Sequence, residues 1–112
     1  MATVILPARN LEASKYRPQH ASMNKTIYSR QSECVREMLV GLRTKARLTQ
    51  RQLAGKLDRE RSLVGRLELG ERRLDLVEFF WFCCACEADP AKEAARLMRQ
   101  LGALQSEPAS QQ

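Results

Sequence analysis

The sequence predicts an all-α protein with five helices in one small domain, flanked by two tails. Three observations support this: apolar residues recur at intervals of three and four, capping residues precede these stretches, and the length suits one domain. A chain of 112 residues, 44% of them hydrophobic, buries only a small core, so oligomerisation would help it. We expect residues 1–30 to be a basic, poorly ordered arm, residues 31–102 the helical domain and residues 103–112 a short polar tail.

The first helix is predicted over about residues 31–47, with Ser32 as a suitable N-cap. Its apolar face carries Val35, Leu39, Leu42 and Ala46, with Met38 beside them. Arg43 falls on the same face, where a buried guanidinium needs a partner. The alternative is that Arg43 extends along the surface to reach water.

Residues 49–73 predict two short helices joined by a tight turn. Thr49 is placed to cap the first of them, and Gly70 ends the second, which covers about residues 60–69. The small Ala54 lets the two helices cross closely, and apolar residues on each helix hold the pair together. These residues are Leu53, Leu57, Val64 and Leu67.

This stretch resembles the helix-turn-helix motif of the lambda-repressor, Cro and Xre family of bacterial and phage DNA-binding regulators. The resemblance covers roughly residues 32–101, with its motif at about 49–69. It is carried by Arg43, Thr49, Gln50, Leu53, Ala54, Leu57, Val64, Leu67, Glu68 and Gly70. The family usually has glycine at the turn where this chain has Asp58. Aspartate tolerates the left-handed conformation at a cost of roughly 1 kcal/mol, so we expect a strained turn.

The resemblance implies roles for individual residues. Arg43 would pair with Glu68 and fix the first helix against the motif. Four residues would contact the DNA backbone and position the protein without reading sequence. They are Thr49 and Gln50 at the start of the second helix, and Arg72 and Arg73 in the loop after the third.

The N-terminal end of the third helix is expected to enter the major groove. Arg61, Ser62 and Arg66 would then face the base edges. An arginine can bond O6 and N7 of guanine together, so we expect guanine recognition by Arg61 and Arg66. The alternative is that either arginine reaches only a phosphate. Gly65 would permit close approach to DNA, or simply lower helix stability.

The fourth helix is predicted from its cap Asp75 to about residue 88, and Asp89 and Pro90 open the fifth. The core face of the fourth helix would contain Leu76, Phe79, Phe82, Cys83 and Cys86. Outward apolar residues make the fourth helix apolar nearly all round, which predicts a homodimer contact. The candidate interface residues on these two helices are Phe80, Trp81, Cys84, Met98 and Leu101.

The net charge is +6, and the basic surplus lies in residues 1–73, whereas residues 74–112 are net acidic. This distribution is typical of a protein that binds phosphates. The four cysteines are interpreted as reduced, mostly buried thiols, with a metal or redox role as the alternative. We predict no metal and no cofactor. The lone His20 has no neighbouring partner for catalysis, so we do not expect an enzyme.

We therefore expect a sequence-specific regulator of transcription that binds double-stranded DNA, acting as a repressor and binding an inverted repeat as a homodimer. The alternative is an antitoxin that binds a toxin, or another protein partner, and regulates its own operon. No membrane span or signal peptide is visible in the sequence. A cytoplasmic location, on the nucleoid through DNA binding, is the expectation.

Overall fold

The computed structural model describes residues 23–106, and within this range the chain forms five α-helices. The helices are α1 (Lys25–Lys45), α2 (Gln50–Lys56), α3 (Arg61–Leu69), α4 (Leu76–Ala85) and α5 (Pro90–Ser106). The all-α prediction with five helices is confirmed. None of these helices is both long and apolar enough to cross a membrane. Most of the predicted arm, residues 1–22, and the end of the tail, residues 107–112, lie outside the described residues.

Two helices are longer than the sequence pattern indicated. α1 begins at Lys25 instead of residue 31, because Asn24 caps it and not Ser32: Asn24 Oδ1 accepts a hydrogen bond from the Ile27 N–H at 2.9 Å. At the C-terminal end of the domain, α5 continues past Gly102 to Ser106. Residues 25–30, predicted to belong to the arm, are therefore helical.

The core lies where the helices of the motif meet α1, α4 and α5. α2 packs against α3, α1 contacts both α3 and α5, and α4 packs against α5. In the described chain, the buried apolar side chains are Met38, Leu39, Leu42, Leu53, Ala54, Leu63, Val64, Leu67, Phe79, Phe82, Cys83, Cys86 and Leu97. Leu53 and Val64 are completely buried, which confirms the predicted packing of the motif.

Three helices end in a left-handed residue that is not glycine. These residues are Arg47, Asp58 and Glu87, with φ angles of 63°, 56° and 58°. At the end of α2 the Asp58 N–H donates to the Gly55 carbonyl and the Arg59 N–H to the Ala54 carbonyl, a Schellman motif. The predicted strain at Asp58 is therefore present.

The end and one face of α4 differ from the prediction. α4 stops at Ala85 and not at residue 88, because Glu87 turns the chain. Leu76, which we expected in the core, is 78% exposed: it is the first residue of α4, at the edge of the buried face. Phe79 and Phe82 are buried as predicted.

Two of the three clustered cysteines lie inside the core. Burial raises the pKa of the Cys83 thiol to about 12 and that of the Cys86 thiol to about 11. Cys84 points outward and is exposed. Within residues 23–106 there is no group of three residues that could hold a metal ion. Cys83 and Cys86 are buried among apolar residues, where their thiols pack as small apolar side chains.

Three hydrogen bonds converge on the Glu68 carboxylate where α1, α2 and α3 meet. Arg43 Nε donates to Oε2 at 2.7 Å and Arg43 Nη2 to Oε1 at 3.2 Å. Gln50 Nε2 donates to Oε1 at 2.8 Å. The Arg43 and Glu68 side chains are only 16% and 8% exposed, so water competes little for these groups. The ion pair that the resemblance implied is therefore present in the structure.

Arg43→Ala should lower the free energy of unfolding by about 3 kcal/mol, because it leaves a mostly buried carboxylate without its cation. In a domain of this size, this corresponds to a fall in Tm of more than about 10 °C. Thermal unfolding followed by circular dichroism measures it. The control is Arg96→Ala, which removes an exposed pair with Glu93 and should cost less than about 0.5 kcal/mol. Equal Tm values for the two variants would contradict the role of the Arg43–Glu68 pair.

Alkylation by iodoacetamide near about pH 8 should modify Cys84 well before Cys83 or Cys86, because the thiolate is the reacting form. Mass spectrometry of peptides from briefly treated native protein measures the order. In denaturant all cysteines should react alike. Modification of Cys83 or Cys86 at the rate of Cys84 in the folded protein would mean that these thiols are not buried.

Candidate nucleic-acid interface

One side of α3 is buried and the other is open. The buried side carries Leu63, Val64 and Leu67. At 100° per residue, the residues of the open side span an arc of roughly 140°. We call this the outward face of α3; it consists of Arg61, Ser62, Gly65, Arg66 and Leu69. Arg61, Ser62 and Arg66, the residues predicted to read bases, are all exposed.

The outward face begins beside a carboxylate. Glu60 occupies the N-cap position of α3, but its side chain does not cap the helix. Instead Glu60 Oε1 accepts a hydrogen bond from the Ser62 hydroxyl at 3.4 Å. The negative charge of Glu60 would repel a phosphate at this end of α3.

Gly65 lies next to Gln50. A Cβ atom added at Gly65 would lie 3.4 Å from Gln50 Oε1, which is van der Waals contact. The nearest side chain to Gly65 is therefore that of Gln50, on α2 of the same chain. Gln50, predicted to contact the DNA backbone, has its amide oriented by Glu68.

Thr49 is exposed and forms a complete capping box at the start of α2. Its hydroxyl oxygen accepts from the Gln52 N–H at 3.0 Å, and its own N–H donates to Gln52 Oε1 at 2.9 Å. This arrangement fixes the first turn of α2, and with it the position of Gln50.

The two arginines of the loop after α3 have different surroundings. The Arg72 guanidinium makes two hydrogen bonds to the Glu78 carboxylate, at 2.9 and 2.6 Å, and these lower the pKa of Glu78. Arg72 thus ties the loop to α4. Arg73 is exposed, and its Cζ lies 5.9 Å from the centre of the Tyr28 ring. Within residues 23–106 Arg73 has no ion-pair partner, so its charge remains available to a ligand.

The sequence interpretation missed two residues of this surface. Leu69 is 70% exposed and lies on the outward face, three residues after Arg66. Helical spacing from Arg66 could have identified it. Tyr28 was placed in the arm, although Asn24 is a good N-cap that could have indicated an earlier start of α1.

The candidate dimer residues fall into two groups. Phe80, Trp81 and Cys84 are exposed on α4, where the Phe80 and Trp81 rings meet edge to face with centres 5.1 Å apart. On α5, Met98 is 55% exposed, whereas Leu101 is partly buried against the core.

Comparison with solved structures finds a similar fold in an XRE-family like protein from Pseudomonas syringae pv. tomato str. DC3000. The sequences are 36% identical, the TM-score is 0.64, and the match covers 68% of this chain and 93% of that chain. No protein-family model and no curated protein matches the sequence. The identity extends over nearly the whole of the solved chain, so the two proteins share more than a general helical architecture. This chain therefore belongs to the XRE-like family.

Proposed function

We propose that the protein is a regulator of transcription that binds specific sites on double-stranded DNA, with α3 as its reading helix. The observation that carries the proposal is the outward face of α3. Its polar side chains are exposed, while the opposite side is buried and Glu68 is tied to α1 and α2. Membership of the XRE-like family supports the same function.

Arg61 and Arg66 are proposed to read guanine bases in the major groove. Each guanidinium can donate to O6 and N7 of one guanine, and such a contact discriminates by roughly 1–3 kcal/mol. Ser62 lies between them along the chain and can bond to several bases. Leu69 offers an apolar group to a thymine methyl. The outward face thus supplies both polar and apolar contacts to base edges.

Arg73 is the proposed backbone anchor of the loop. Its exposed charge can neutralise one phosphate, whereas Arg72 is engaged with Glu78 and serves to hold the loop in place. Thr49 and Gln50 are proposed as further backbone contacts because they match the positions that serve this purpose in the family.

A single reading helix contacts only a few base pairs. We therefore propose that two copies bind an inverted repeat, with half-sites about 34 Å apart or a multiple of that distance. A dimer bound to a promoter would exclude RNA polymerase, so repression is the proposed outcome. The protein would act on the DNA of a bacterial or phage genome without catalysing a reaction.

Fluorescence anisotropy with labelled duplexes tests this function. The DNA upstream of the protein's own gene should bind at least about 1,000-fold more tightly than a shuffled duplex of equal composition. The comparison should be repeated between about 50 and 200 mM salt, because nonspecific affinity depends strongly on salt. Equal affinity for both duplexes at every salt concentration would rule out specific regulation through that site; a selection from random duplexes that enriches no sequence would remove the proposal altogether.

Arg66→Ala and Arg73→Ala should have different effects on DNA binding. Loss of Arg66 should relax the preference at one base position, since a direct base contact is removed. Loss of Arg73 should weaken binding to all sequences alike and reduce the salt slope by about one, since a phosphate contact is removed. Binding-site selection together with salt titration measures both effects.

Arg99→Ala is the matched control, because Arg99 is an exposed arginine on α5, outside the proposed interface. It should leave base preference unchanged. If Arg73→Ala altered the preferred base and Arg66→Ala altered only the salt slope, the assignment of reader and anchor would be reversed.

A further inference from the structure

An apolar strip covers one side of α4. Leu76, Val77, Phe80 and Trp81 are 78%, 67%, 47% and 57% exposed. Their spacing places them along one side of the helix. Together they leave on the order of 400 Å² of apolar side-chain surface in water, within the range of the largest such patch on a typical soluble monomer and often functional. We call these four residues the α4 strip.

The α4 strip continues into a shallow groove between the end of α2 and α4. Leu57, Trp81, Cys84 and Ala85 line the groove, with Lys56 and Glu87 as its charged residues. Both charged side chains are exposed, and among the described residues neither has an ion-pair partner. Glu87 lies in the left-handed turn after α4, where its N–H donates to the Cys84 carbonyl at 3.0 Å.

We propose that the α4 strip and this groove form a two-fold interface between two copies of the chain. Trp81 of each copy would lie near the centre, and Lys56 would face Glu87 of the partner subunit. In a two-fold interface the same patch occurs on both sides, so it must be complementary to itself. A patch with one cation and one anion at a groove with apolar walls meets this condition. The proposal rests on the homodimer of the proposed function and specifies its surface.

The area and the position of the patch favour a second copy as its occupant. A stable interface buries about 800 Å² per partner, and the α4 strip supplies roughly half of that, with the groove adding more. Interfaces at this small end of the size range are commonly weak, so dimerisation is best sought at micromolar protein concentrations. Lys56 lies at the end of α2 opposite to Thr49 and Gln50, about 10 Å away along the helix. The interface and the proposed backbone contacts of α2 can thus be occupied together.

Charge reversal tests the pairing directly. Lys56→Glu places two acidic groups at each contact and Glu87→Lys places two basic groups there, so each variant alone should dimerise at least about 10-fold more weakly than the wild type. An equimolar mixture of the two variants should recover the lost affinity as a heterodimer, because both contacts then join opposite charges. Sedimentation equilibrium from about 1 to 200 µM measures these affinities.

The emission of Trp81 provides a second readout, because Trp81 is the sole tryptophan of the chain. It should shift to shorter wavelength as the wild type dimerises. Trp81→Ala should remain monomeric while keeping its helical circular dichroism. Lys92→Glu, a charge reversal at an exposed lysine on α5, is the control and should dimerise like the wild type.

A wild type that stays monomeric to about 200 µM would overturn the proposal, and so would a dimer that neither charge reversal weakens. Failure of the mixture to restore association would overturn the Lys56–Glu87 pairing. Binding of the variants to a duplex with a single half-site separates this proposal from the DNA-binding one. If the protein prefers particular bases in the half-site but does not dimerise, only the interface proposal is overturned. If it dimerises but shows no base preference, only the proposal that α3 reads DNA is overturned.

Discussion

The arrangement of α1, α2 and α3 depends on one carboxylate. Glu68 lies on the inner side of α3 and accepts hydrogen bonds from Arg43 on α1 and Gln50 on α2. A carboxylate at 8% exposure is costly unless its oxygens are bonded, and here both oxygens have donors. Because these donors come from two other helices, satisfying Glu68 also sets the angle at which α3 lies. The orientation of its outward face follows from that constraint.

Ion pairs with acidic residues separate the arginines of the motif and its flanks into two classes. Arg43 and Arg72 are held by Glu68 and Glu78, so their guanidinium groups connect one segment of the chain to another. Arg61, Arg66 and Arg73 are exposed and have no ion-pair partner within residues 23–106. In the proposed function only the second class contacts DNA, with α3 supplying base contacts and the loop a phosphate contact. Net charge alone does not distinguish these classes; the acidic partners do.

Much of the fold could be predicted because it depends on local periodicity and capping. The packing of Leu53, Ala54 and Val64 follows from helical spacing, and the Asp58 turn follows from its place between two short helices. The Arg43–Glu68 pair came from family resemblance, since spacing alone left open that Arg43 reaches water. The sequence pattern predicts a later start of α1 because Asn24 and Ser32 are both good caps, and the structure uses Asn24. The Arg72–Glu78 pair depends on the path of the loop after Gly70, which local sequence does not specify.

Guanine recognition by the outward face of α3 is measured most directly by methylation interference. Methylation of guanine at N7 removes one of the two acceptors that an arginine binds in the major groove. We predict that methylating particular guanines in each half-site blocks binding of the wild type. Binding of the Arg66→Ala variant should be unaffected by methylation at one of these guanines. If no methylated guanine impairs binding, or if Arg66→Ala retains the wild-type pattern, α3 does not read guanine as described.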